Sequence, residues 1–414
     1  MTDEIKNWEG YKEKILEGLS EKQSKMVGIV MENAHQENVK GVNQENPIVI
    51  SESTSVGSTV TSNISRYDML FMPLIRRTMP ALLANDLVGV QPLKASRGIV
   101  RTLRFRYSET TDDTNGGTPV VTAGDEASGM NVYEKYSLLV RTGDYDDVDA
   151  LNPFQQTVYL EGNIGKPMNL DVVTDAVDSK SRKLSAAYSL EAADDLAAYD
   201  GLDIEAELTT SLGDEILREK DREVITTLTS LAGTVESFDF AVVDGRYAGE
   251  KLAALTIAID QLSTEIAIKT KKSGANWMVV SPRVFTALKN ASNTTFVPVN
   301  NFAATNGGNL QISSSLFVGT FGGFVKVYVD PYAETDTVLM GYKGSELDTG
   351  LIYAPYIPLA SSGVIRNPET GDHRILLRTR YALHSFTNTA TSLGNSADFY
   401  ARASIANLQL GFTN

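Results

Sequence analysis

An α+β fold is the expectation from three features of the chain. Residues 97–109, RGIVRTLRFRYSE, alternate apolar and charged side chains with the period of two that belongs to a strand. From Gly201 to Gly233, apolar residues recur every three or four positions, which describes a helix far longer than the ordinary three turns. Beyond residue 241, short apolar runs alternate with helical stretches, as in a mixed domain.

Composition bounds the rest. At 414 residues and 42% hydrophobic side chains, the chain can build two or three domains with sizeable cores. A formal charge of −15 argues against DNA, RNA or an anionic membrane as the primary ligand, because those partners require clustered Lys and Arg. The absence of cysteine removes disulfides, thiolate catalysis and cysteine-ligated metals, and fits a cytosolic site of synthesis. With no run of 18 apolar residues and a charged start, MTDEIKNWEG, neither a membrane span nor a secretory signal is expected.

Residues 1–52 form the first unit. Trp8, Tyr11, Ile15 and Leu19 share one face of an amphipathic helix, which either docks on its own domain or acts as a removable, partner-binding arm. Residues 53–96 are an arm and lead-in. The Ser/Thr-rich connector of residues 51–65, too poor in apolar surface to offset ordering, leads into them, and the dense apolar stretch from Met69 to Leu93 closes them.

A hairpin is expected over residues 97–145. Leu103, Phe105 and Tyr107 point one way and Arg104 and Arg106 the other, the tip carries Asn115-Gly116-Gly117, and Val132–Thr142 returns as the second strand. Between Asp86 and Glu109 the sequence has five bases, Lys94, Arg97, Arg101, Arg104 and Arg106, and no acid. Such a stretch either meets an acidic surface on a neighbouring copy or forms a solvated strand face.

Residues 146–240 read as a second unit dominated by helix from Lys183 to Gly233, broken at Asp200-Gly201, with Asp214 and Arg218 spaced for an i, i+4 pair. In residues 241–414 a helix covers GEKLAALTIAIDQLSTEIA, WMVVS is a buried strand, PRVFTALKN a helix with proline at its start, VKVYVD and TVLMGYKG are paired strands, and RILLRTRYAL is another strand. Gly319–Phe324, GTFGGF, joins strands as a turn. In GYKGSELDTGLIYAPYIPLA, Tyr342, Tyr353 and Tyr356 supply wide amphipathic area while Pro355 and Pro358 keep the backbone extended.

Signs of chemistry are few. The histidines are His35 in the N-terminal arm and His373 and His384 flanking a strand; no zincin, Walker A or nucleophile-elbow pattern occurs. The acid run Asp144–Asp149 departs from a calcium loop at its sixth and twelfth positions, Asp149 and Gln155. No cofactor, metal site or catalytic constellation is expected, and an enzyme is not the reading.

Five blocks in order, MPALLANDLVGVQPL, GLDIEAELTTSLGDEI, NWMVVSPRV, GYKGSELDTGLIYAPYIPL and TRYAL, resemble the major capsid proteins of T-even-type tailed bacteriophages from about Met69 to the C-terminus. The resemblance implies the Hong Kong 97 capsid fold: an N-terminal arm, an extended hairpin called the E-loop, a peripheral domain with a long spine helix, and an axial domain. It implies hexameric capsomers in an icosahedral or prolate shell around double-stranded DNA, with a vertex protein, portal, internal scaffold, prohead protease and decoration proteins as partners. On this reading Arg97, Arg101, Arg104, Arg106, Tyr342, Tyr353 and Tyr356 are candidate inter-subunit contacts, the tyrosines having internal packing as their alternative role.

The family's protease cuts after Glu in Ile-x-Glu or Leu-x-Glu. Of the triplets ending at Glu17, Glu21, Glu52 and Glu219, Ile50-Ser51-Glu52 opens the Ser/Thr connector, so the expected cut lies between Glu52 and Ser53 and leaves 31 basic against 42 acidic residues. The hairpin tip, Ser108 to Asn131, looks short for this family, which implies that the domain inserted there in larger members is absent. A pentameric vertex protein of the same phage type and an encapsulin-like compartment protein are the alternative shell subunits.

Overall fold

The computed structural model describes residues 24–30, 33, 82–112, 119–125, 127, 136, 167–199, 201–241, 247–291, 296–298, 316–366, 372–386 and 395–408. The N-terminal stripe of Trp8, Tyr11, Ile15 and Leu19, the connector with Ile50, Glu52 and Ser53, the expected turn Asn115-Gly116-Gly117 and the acid run Asp144–Asp149 lie outside the described residues.

In chain order the elements are helix α1 over residues 24–30, helix α2 (Ala84–Leu87) and strands β1 (Gly89–Val90), β2 (Arg97–Tyr107), β3 (Thr111–Asp112), β4 (Pro119–Val121), β5 (Met168–Asp178) and β6 (Lys180–Tyr188). Helices α3 (Leu190–Tyr199) and α4 (Ile204–Leu231) follow, then β7 (Thr234–Asp239), α5 (Ala248–Thr270), β8 (Trp277–Val280), α6 (Pro282–Lys289) and β9 (Phe296–Pro298). Strands β10 (Leu316–Phe321), β11 (Val325–Val329), β12 (Thr337–Gly341), β13 (Leu351–Arg366), β14 (His373–Ser385) and β15 (Tyr400–Ala406) complete the chain. The fold is α+β, with one sheet ordered β1-β13-β14-β6, a mixed sheet ordered β7-β15-β12-β8-β11-β10-β9, and a two-stranded β2-β5 ribbon.

Helix α4 is the spine. Its 28 residues start at an N-cap, Asp203, whose carboxylate accepts from the Glu205 amide at 3.0 Å, with Glu205 and Glu207 in the first turn where the helix dipole favours acids. Its buried stripe runs Thr209, Gly213, Ile216, Lys220, Val224 and Leu228, and packs on β14, β13 and the lead-in residues Leu82, Leu83 and Leu87. Where the spacing suggested Asp214 as partner, Arg218 binds Glu215, three residues before it, at 3.3 Å.

Strand β8 explains how two cores coexist. All four of its residues are buried: Trp277 and Val279 face the spine-helix core, Met278 and Val280 the core under α5 and α6. A strand covered on both faces reads as an unbroken apolar run. It also lies between β11 and β12, which therefore each pair with β8, parallel and antiparallel, and not with each other as the sequence suggested. Helix α6 begins where expected, Ser281 capping the Val284 amide and Pro282 filling the first turn. The Gly319–Phe324 turn joins β10 to β11, with Gly322 and Gly323 at φ of 61° and 83°.

Lys180–Tyr188, part of which was read as helix, is a strand paired along its whole length with β14, His373 opposite Tyr188 and Tyr381 opposite Lys180. The same pairing puts both His373 and His384 within a strand. The ribbon's return strand is Met168–Asp178, not Val132–Thr142: Arg97 faces Asp178 and Tyr107 faces Met168 without a break. The span between the ribbon strands is therefore residues 108–167, longer than the short tip expected. Val121, Ala127 and Tyr136 of this span form a satellite core with Tyr107 of β2, in which the two tyrosine rings lie 4.5 Å apart and the Tyr136 hydroxyl donates to the Pro167 carbonyl at 3.0 Å.

Candidate assembly interface

The ribbon separates its side chains by parity. One face carries Arg97, Ile99, Arg101, Phe105 and Tyr107 from β2, with Asp178, Ala176, Thr174, Val172, Leu170 and Met168 from β5. On this face Ile99, Phe105, Met168, Leu170 and Val172 are 60%, 45%, 49%, 58% and 45% exposed, an apolar surface along most of the ribbon. The other face turns inward at the base, where Val100 and Val177 join Leu93, Ile352, Ala354, Ala382 and Phe386 in a small core. His384 ties the ribbon down, its Nε2 lying 2.9 Å from the Asp175 carboxylate and its ring edge-on to Phe386.

Two of the basic residues are matched within the ribbon. Arg97 Nε donates to Asp178 at 2.7 Å, which holds that carboxyl below its ordinary range, and Arg106 reaches Asp171 at 3.2 Å. Arg101 is exposed and its backbone N–H and C=O bond the Gln91 amide; of Arg104 only the backbone is described. Part of the acidic surface inferred for a neighbouring copy is thus on β5 of the same chain.

The tyrosines divide. Tyr353 is 1% exposed, packs against Tyr381 at 5.5 Å and has no surface to offer another subunit, so its role is internal. Tyr342 is half-buried, stacked on Phe399 at 6.3 Å, and Tyr356 is half-buried beneath the Arg380 guanidinium at 5.2 Å. Both keep an edge at the surface. Pro355 and Pro358 sit in β13, whose register shifts between Pro355 and Ile357 and again before Ala360; bulges there absorb the missing amide donors.

Sequence reasoning missed a polar cluster beneath the spine. Lys220 and Asp221 are 4% and 0% exposed. Lys220 Nζ donates to the Pro358 carbonyl at 3.2 Å and lies 5.4 Å from the Tyr381 ring centroid, while Asp221 accepts from the Leu83 amide at 3.0 Å. Burial drops the Lys220 ammonium to about 7. Arg182 spans Glu223 at 2.8 Å and Glu219 at 3.1 Å, and the Tyr381 hydroxyl donates to Glu223. The signal was present as Lys220 and Asp221 falling on the helix's apolar stripe, where charge costs most.

No helix among the described residues is long and apolar enough to cross a membrane, and the β2-β5 ribbon presents an exposed apolar face. The chain belongs to the Major capsid protein Gp23 family, whose model matches residues 64–405. It is 28% identical to the major capsid protein of Vibrio phage KVP40, covering 87% of this chain and 84% of that protein. It is 29% identical to that of Enterobacteria phage T4, covering 80% of this chain and 78% of that protein. Among solved structures it resembles a Mycobacterium phage Bobi chain (TM-score 0.44, 10% identity, 90% of this chain and 98% of that one). It also resembles the SrpI encapsulin of Synechococcus elongatus (TM-score 0.41, 11% identity, 88% of this chain and 95% of that one). The mixed helix and strand content of the described residues agrees with the α+β class read from the sequence.

Proposed function

We propose that the chain is the shell subunit of a tailed-phage head, self-assembling into hexameric capsomers that close around double-stranded DNA. The observation that carries it is the exposed apolar face of the β2-β5 ribbon. Covering five half-exposed apolar side chains contributes roughly 5 kcal/mol, at the low end of the ~4–15 kcal/mol that association costs. One ribbon contact holds two subunits weakly. A closed ring gains one contact more than the number of association events it needs, so rings and shells persist where dimers do not. Arg101, Tyr342 and Tyr356 edge the subunit's surface and would serve as contacts, Arg97 and Arg106 only after exchanging their partners within the ribbon.

Trimming after Glu52, at Ile50-Ser51-Glu52, belongs to this reading, as do a scaffold, protease, portal, vertex and decoration proteins as partners. Electron microscopy of the protein from its native source tests it: closed polyhedral shells of hexameric units are expected, and discrete monomers or pentamers in a source that makes particles would overturn it. Mass spectrometry of mature particles tests the trimming, which an intact Met1 would exclude.

A further inference from the structure

Part of the N-terminal segment marked for removal is built into the subunit's core. Met26, Val27 and Val30 are 7%, 1% and 0% exposed, in the same cluster as Ile216, Val224 and Leu228 of the spine helix. Asn33 is 6% exposed, and its side-chain amide donates to the Leu93 carbonyl at 2.7 Å and the Tyr356 carbonyl at 3.1 Å. One buried amide thereby joins the lead-in to β13, and its loss strips both carbonyls of a donor. The proposed cut would fall between two parts of this single core, Met26, Val27 and Val30 before it and Leu82, Leu83, Ala84, Leu87 and Val88 after it.

Breaking a peptide bond in the connector changes none of these contacts. It makes departure of the segment possible, while the surface already buried continues to oppose it. We infer that cutting and release are separate events: residues 24–30 and Asn33 stay seated after the connector is severed, clasping the spine helix to β13, and their withdrawal loosens that joint. The inference takes its biological setting from the trimming reading, but the clasp is independent of where a natural protease cuts.

The test therefore uses an engineered cut. A recognition site for a sequence-specific protease is inserted between Ser53 and Ser65 of the full chain, the folded protein is cut, and it is passed through size exclusion with mass spectrometry and amide hydrogen exchange. The N-terminal fragment is expected to co-elute, with exchange over Ile216–Leu228 and Tyr353–Leu359 unchanged from the uncut chain. With Val27→Asp and Val30→Asp the fragment leaves on cutting, and those amides exchange about tenfold faster. Asn33→Ala, which removes only the two hydrogen bonds, serves if the double variant fails to fold and is expected to release the fragment about tenfold sooner. A fragment that separates from the unsubstituted protein as soon as it is cut overturns the inference. So does a fragment that stays while Asn33→Ala changes neither its retention nor the exchange.

Discussion

Lys220 shows how much one residue can report. Its ammonium is buried beside Asp221, Glu223, Arg182 and Tyr381, with desolvation the dominant influence and Asp221 the main opposing one. Below pH about 7 the folded and unfolded chains both carry the proton. Between there and the ordinary 10.5 only the unfolded chain does, so stability rises with pH through that window, by about 1 kcal/mol per unit. A rising unfolding midpoint from neutral to alkaline pH is expected, and Lys220→Met should flatten it; an equally steep rise in the variant would assign the effect elsewhere. Two tyrosines give a contrasting pair. Tyr400, held at about 12 by burial, accepts from the Leu351 amide at 2.8 Å, so Tyr400→Phe orphans a buried donor and should cost ~1–3 kcal/mol in chemical denaturation. The Tyr353 hydroxyl meets no hydrogen-bond partner among the described residues, and Tyr353→Phe should cost under ~0.5 kcal/mol. Equal costs for the two would contradict these environments.

At the scale of elements, the spine helix was legible because its stripe persists for 28 residues and its ends carry Asp203 and Gly233. Strand β8 and helix α6 were legible for the same reason, an unbroken apolar run followed by Ser281-Pro282. What misled was pairing. Val132–Thr142 is the nearest apolar run after the first ribbon strand, but the partner is decided by cross-strand fit, which places Asp171 and Asp178 where Arg106 and Arg97 reach them. Lys180–Tyr188 holds Leu184, Ala186 and Ala187, good helix formers, and its conversion to strand comes from a neighbour, β14, almost two hundred residues away. The exposed ribbon face was half legible, since Phe105 was placed on it and Met168, Leu170 and Val172 were not. Leu170→Asp tests that face: the isolated subunit should keep its unfolding midpoint while shell formation fails, and normal shells from the variant would remove the ribbon from the interface.

For the whole molecule, the reading from sequence succeeded where several separated blocks pointed to one architecture, and stopped where one chain cannot display its neighbours. Charge acts at this scale. On the proposed function, a subunit of charge −15 would confine DNA without gripping it, so particles emptied of DNA should stay closed across the range of salt over which basic nucleic-acid binders release their ligand; shells that open as salt rises would show that charge pairing holds them.

Because Trp277 and Val279 belong to one core and Met278 and Val280 to the other, a single short backbone is common property of both halves. Neither half can melt and leave its neighbour intact, since the same four residues would have to be both ordered and disordered. The subunit is expected to fail all at once, in one calorimetric transition, and a wall made of such units has no soft half through which to creep under pressure.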